Sequence, residues 1–99
     1  MYAIVFDLDQ DTLSKTYGVS TYTDAYNDIK KTLEVHGFNR QQGSVYFGEI
    51  KKVDAVRCVM AVQDLAKKYA WFTPSVTDIR MLRIEDNNDL KPAIEMVLS

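Results

Sequence analysis

A continuous apolar run at residues 2–6 (YAIVF), partly β-branched and followed at once by a polar stretch from Asp7 to Thr16, constrains this chain more than any other feature. Side chains on a strand alternate between two sides, so a run without polar alternation predicts a short central strand covered on both faces. With 99 residues and no linker, repeat or low-complexity tract, residues 1–99 read as a single domain that must supply those covers.

The rest of the pattern says what the covers are. After turn residues around Gly18, Tyr22, Ala25, Tyr26, Ile29 and Leu33 recur at helical spacing, and Thr21 with Asp24 resembles a capping box in which Asp replaces Glu. Gly37 supplies the stop, and His36 in the last turn reads as a surface residue favoured by the helix dipole. Residues 38–50 are strand-like around a polar corner at residues 40–43, with Val45 and Phe47 on one face and Ser44 and Tyr46 on the other, which predicts a hairpin or a bent strand pair. A second helix follows from Ala55, Cys58, Val59, Val62, Leu65, Ala66 and Tyr69, with Lys67 and Lys68 at its negative end. The segment at residues 71–74 (WFTP) breaks it. Residues 76–84 read as a strand whose imperfect alternation implies a bulge or contacts on both faces, and residues 90–98 as a short amphipathic end in which Pro92 is tolerable only in a first helical turn.

Strand, helix, two strands, helix and strand, with a terminal helix, is the α+β, ferredoxin-like (split βαβ, βαββαβ) arrangement: two helices cover one face of a four-stranded antiparallel sheet. The other face would be bare although the first strand reads as buried on both sides, and a second copy packed sheet to sheet removes the conflict. A homodimer is therefore expected, with edge-to-edge pairing as the alternative geometry.

Composition narrows the function. With 12 basic and 14 acidic residues the net charge is −2, so nucleic acid cannot be held by a diffuse positive field and any contact must be local. Cys58 is the single cysteine, which leaves no intramolecular disulfide and no thiolate metal cage, and its position suits a small core hydrophobe. A single His36 excludes any mechanism needing two histidines from one chain. The longest apolar run is far short of the roughly 20 residues that span a bilayer, and no signal pattern precedes it, so no membrane role and a cytoplasmic address are expected.

Chemistry-bearing residues gather in three places. Asp7 closes the first strand and Asp9 and Asp11 follow, so up to three carboxylates could hold a hard divalent cation such as Mg²⁺ or, with one member protonated, move protons. The plainer reading makes them turn formers and caps. Gln42, Gly43 and Ser44 offer an amide, a flexible backbone and a hydroxyl suited to a phosphate or ribose, or else simply a hairpin turn. No base is available to activate Ser44 as a nucleophile. Asp78 and Arg80 share one side of the last long strand, as a surface pair or as a phosphate-binding guanidinium oriented by its carboxylate. Tyr46, on the Ser44 side, could stack on a base; the other aromatics read as core or dimer contacts.

The opening MYAIVFDL, the helix segment at residues 25–29 (AYNDI), Gly37-Phe38 followed by QGSVY at residues 42–46, the turn at residues 70–72 (AWF) and SVTDIR at residues 75–80 together resemble the virulence-associated protein D (VapD) family over nearly the whole chain. The resemblance implies a ferredoxin-like dimer related to the small nucleases of CRISPR adaptation, with endoribonuclease activity on RNA and, in some members, a toxin role opposite a small antitoxin protein. It places the catalytic centre on Asp7, Leu13, Ser44 and Asp78. Gln42, Tyr46 and Arg80 would then contact the substrate, and Asp7 would be the ligand if a Mg²⁺ ion takes part. Two departures stand out: Thr77 occupies a position where members usually carry Arg, and the tail at residues 86–92 differs from the family's usual acidic-aromatic ending. The expectation is thus an endoribonuclease acting on single-stranded RNA. Its rivals are a non-catalytic dimeric interaction module and a DNA nuclease.

Overall fold

The computed structural model describes residues 1–17 and 22–98, without the side chains of residues 22 and 23. The expectations at Gly18, at Thr21 and for the side chain of Tyr22 lie outside the described residues. In chain order the elements are β1 (Tyr2–Leu8), α1 (Gln10–Tyr17), α2 (Tyr22–Val35), β2 (Phe38–Gln42), β3 (Val45–Gly48), α3 (Ala55–Lys68), α4 (Phe72–Ser75), β4 (Val76–Arg83) and α5 (Lys91–Leu98). The strands form one four-stranded sheet in the order β2-β3-β1-β4, and every neighbouring pair is antiparallel. That order and those directions are the ferredoxin-like arrangement the sequence predicts.

One core lies between the sheet and the helices. Ile4 and Phe6 of β1 and Tyr46 of β3 meet Ala25, Ile29 and Leu33 of α2 and Cys58, Ala61 and Leu65 of α3, all buried. The α2 residues are four apart, which puts them on one face of the helix. Burying each Leu or Ile contributes roughly 1.5–3 kcal/mol before the entropy of ordering is set against it. Cys58 is buried in this cluster, where burial pushes its thiol pKa up. Asp54 caps α3 by accepting a hydrogen bond from the Arg57 backbone N–H at 2.8 Å. Gly37, at φ 91, takes the left-handed turn that ends α2, and its N–H donates to the Glu34 carbonyl at 3.0 Å.

Several expectations need correction. The polar stretch after β1 is not a loop: it carries α1, capped by Asp9 and pinned by Leu13, which is 0% exposed. The buried stripe of α3 runs through Ala61, while Val59 and Ala66 face outward; a helix rotated slightly about its axis selects a different edge of a broad apolar stripe. His36 is not a free surface residue. It bridges α2 to α3 with its Nε2 2.9 Å from Asp64 Oδ2, its side chain 12% exposed.

Other expectations hold. The bulge falls between Val76 and Asp78: Asp7 pairs with Asp78 but Leu8 pairs with Val76, so Thr77 is the extra residue. Trp71 and Phe72 belong to the core, with Tyr17 and Tyr69 packed on Trp71 at ring-centroid distances of 5.2 and 5.0 Å. Pro92 sits in the first turn of α5, no residue of which is buried. The sheet face turned away from the helices is uncovered in the single chain and carries Val5, Val45, Phe47 and Leu82, the last 43% exposed.

Candidate active site

The predicted site residues gather at one end of the sheet, where β1 runs out, but on two different faces. Asp7 and Asp78 are direct cross-strand partners on the uncovered face; such partners carry Cβ atoms about 4.5–5.5 Å apart. Both carboxylates are exposed. The Thr77 hydroxyl donates to the Asp7 carbonyl at 3.2 Å and ties the bulge to the strand beside it. Two residues on, Arg80 Nε lies 3.2 Å from each Asp78 carboxylate oxygen, and this contact raises the guanidinium pKa still further. Asp78 therefore holds Arg80 in place while Asp7 remains beside them.

Asp9 and Asp11 do not join this pair. The Asp9 carboxylate accepts from the Thr12 hydroxyl and, at 3.1 Å, from the Thr12 backbone N–H, and these bonds hold it below the usual carboxylate range. It is the N-cap of α1. Asp11 lies in the first turn of that helix, and among the described residues no group of three or more acidic, histidine or cysteine side chains could hold a metal. The predicted triple-carboxylate cluster is thus replaced by a pair, Asp7 with Asp78. Mg²⁺ is commonly held by one or two carboxylates together with substrate phosphate, and this donor set has that chemistry.

The opposite face at the same end is walled. A groove of about 600 Å³ runs between α2 and the β2–β3 turn, lined by Gln10, Tyr26, Asn27 and Lys30 on one side and by Arg40, Gly43, Ser44 and Tyr46 on the other. Gly43 at φ 48 makes the turn. The Ser44 carbonyl accepts from the Phe6 N–H at 3.2 Å, which fixes the groove one residue from Asp7 along β1. Ser44 and Asp7 are close along the chain contacts yet point to opposite sides of the sheet.

The remaining predicted residues divide as follows. Leu13 is fully buried and touches the site only by anchoring α1. Tyr46 is 2% exposed with its ring stacked on Phe6 at 6.0 Å, so its face is closed to a base, and burial pushes its phenol pKa up. Gln42 is exposed at the hairpin end. Sequence reasoning missed Gln10, Asn27, Lys30 and Arg40 and put Tyr26 in the core. Tyr26 does pack against that core but is only partly buried, and its hydroxyl accepts from Gln10 Nε2 at 2.8 Å. The signal for it was its place at the margin of the α2 apolar stripe, with polar Asn27 and Lys30 on the adjacent helix surface.

Comparison with known proteins gives the chain a family. The family model described as CRISPR associated protein Cas2 matches residues 1–91. The chain is 52% identical to the protein named Endoribonuclease VapD 2 of Riemerella anatipestifer, over 95% of this chain and 99% of that one. It is 51% identical to the Endoribonuclease VapD homolog of Helicobacter pylori, over 99% of this chain and 100% of that one. To the Endoribonuclease VapD of Dichelobacter nodosus it is 40% identical, over 96% and 98% of the respective chains. With a family match from the first residue to the ninety-first and these near full-length relatives, the chain belongs to the Cas2 family and stands in it with the VapD proteins.

Proposed function

We propose that this protein is an endoribonuclease that cuts single-stranded RNA at the paired carboxylates of β1 and β4. The observation that carries the reading is the register of Asp7 with Asp78, with Arg80 held by Asp78 on the same face. The names of its relatives support the endoribonuclease part of the reading. Arg80 binds the scissile phosphate and stabilises the charge that grows on its oxygens, and Asp7 takes the proton of the attacking oxygen. If that oxygen is the ribose 2′-hydroxyl, its bond to phosphorus forms as the bond to the 5′-oxygen breaks, leaving a 2′,3′-cyclic phosphate. If it is water, the products carry a 5′-phosphate and a 3′-hydroxyl. A Mg²⁺ ion bound by Asp7 and Asp78 would supply a more acidic water and a counter-charge. Leu13 serves as a positioning residue that keeps α1 against the end of β1.

The proposal includes a homodimer. Along the uncovered face the apolar residues Val5, Val45, Phe47 and Leu82 adjoin the charged end formed by Asp7, Asp78 and Arg80. A second copy seated on the apolar part leaves the charged end at the rim of the interface, open to an unpaired strand. A small antitoxin protein that blocks that rim belongs to the same reading.

The test is cleavage of RNA by purified protein, with and without EDTA, with end-group analysis, a matched DNA strand and sedimentation of the protein. RNA products from a dimer that disappear with Asp7→Asn are expected. Equal cutting by the variant would remove Asp7 from the chemistry, preferential cutting of DNA would make the protein a DNA nuclease, and no products above protein-free controls would leave an interaction module.

A further inference from the structure

We infer that the groove between α2 and the β2–β3 turn is a subsite for one nucleotide of single-stranded RNA, next to the one whose phosphate is cut. The inference rests on the ribonuclease reading only for its choice of RNA over other nucleotide-bearing ligands. The groove's volume of about 600 Å³ falls within the range that small-molecule pockets occupy. Its chemistry is that of a nucleotide. Tyr26 offers a partly exposed ring at the groove wall whose hydroxyl is fixed by Gln10, an edge against which any base can stack. Asn27 adds an amide able to donate to and accept from a base edge.

Lys30 and Arg40 put positive charge at the same groove in a chain whose net charge is −2, which is the local contact that the composition demands of a nucleic-acid binder. Arg40 is held at the turn by donating from Nε to the Gly43 carbonyl at 2.8 Å. Lys30 pairs with no carboxylate among the described residues. A duplex buries its base faces in its own stack, so only an unpaired strand can use the Tyr26 ring. The Ser44 carbonyl accepts from the Phe6 N–H, so this groove residue is held one position from Asp7 along β1. One strand passing over the end of β1 can therefore place a base on the helix side and the adjoining phosphate at the carboxylates on the other.

The test uses a short fluorescein-labelled single-stranded RNA and the intact protein carrying Asp7→Asn, so that the probe survives, with binding read by anisotropy. Tyr26→Leu should weaken binding about tenfold, and Tyr26→Phe, which keeps the ring, by less than about twofold. Lys30→Gln should weaken it about fivefold and flatten the salt dependence by about one unit of slope. Lys51→Gln, an equal change of charge on an exposed residue elsewhere, should have no effect. In the active protein Tyr26→Leu and Lys30→Gln should raise KM and spare kcat. Unchanged binding in both groove variants, or an equal loss with Lys51→Gln, would overturn the subsite, and tighter binding of matched single-stranded DNA would overturn the choice of RNA. The two proposals fail separately: cleavage with KM unmoved by the groove variants sinks the subsite alone, whereas RNA binding that depends on Tyr26 and Lys30 in a protein that cuts nothing sinks the nuclease alone.

Discussion

The two faces of the sheet at the end of β1 are built from the same strands and do opposite things. On the helix side, side chains are enclosed: Phe6 stacks on Tyr46, and α2 and the hairpin turn form walls. On the far side Asp7, Asp78 and Arg80 stand in the open, ordered only by each other and by the bulge at Thr77. The contrast teaches that shape and charge are divided between the faces. A walled groove has the shape to enclose a base but holds no carboxylate of the β1–β4 pair, whereas the open carboxylate pair offers charge and proton acceptors with no wall around them.

The division is sharpened by substitutions that should touch one face and spare the other. The largest effect is expected from Asp7→Asn, which should lower kcat by about 10²–10⁴-fold while leaving the thermal unfolding curve in place; a normal turnover number would merge the two faces into one binding surface. Leu13→Ala should destabilise the fold by about 2–5 kcal/mol, seen in urea unfolding, because it opens a cavity under α1. Its residual folded fraction should cut with a lowered kcat, because α1 is then no longer held against the end of β1. Arg80→Gln should lower kcat/KM by about tenfold to a hundredfold, the value of charged hydrogen bonds to a phosphate, with little change in stability.

The smallest effect lies away from both faces, at the bridge between α2 and α3. A hydrogen bond from His36, aided by Lys68 at 3.3 Å, holds the Asp64 carboxyl below its ordinary range. A depressed folded pKa means that this stabilisation is fully present above the unfolded value of about 3.9 and is lost as pH falls through the folded value. The melting temperature of Asp64→Asn should therefore lie below that of the wild type at neutral pH and converge on it in acid, with RNA cleavage unaltered. A constant difference down to pH 3 would assign the bridge no titrating role.

What could be seen in the sequence follows from how locally each feature is encoded. The strands, α2 and α3 announce themselves because side-chain period and burial coincide over many residues. Helix α1 does not: its eight residues bury only Leu13, so no apolar period exists to read, and its stability comes from the Asp9 cap and from packing against α4. The Asp78–Arg80 contact was legible because strand parity places both on one side. His36 was not, because its partner lies 28 residues away. The groove was half visible. Ser44 and Gly43 stand out as turn chemistry, but whether Tyr26 is core or wall depends on how far α2 sits from the hairpin, which no local pattern states.

The extra residue at Thr77 has a consequence for evolution and engineering alike. Its neighbour Ser75 is fastened to the first helix through the Asp9 N–H, at 2.7 Å, so β4 starts from a fixed post. From such a post, chain length sets parity: shortening the segment by one position would send Asp78 and Arg80 to the opposite side of the sheet without altering either side chain. In this molecule the spacing between an anchor and a charge is as decisive as the charge, and a homologue that conserves every acidic residue but changes that spacing has a different protein's surface.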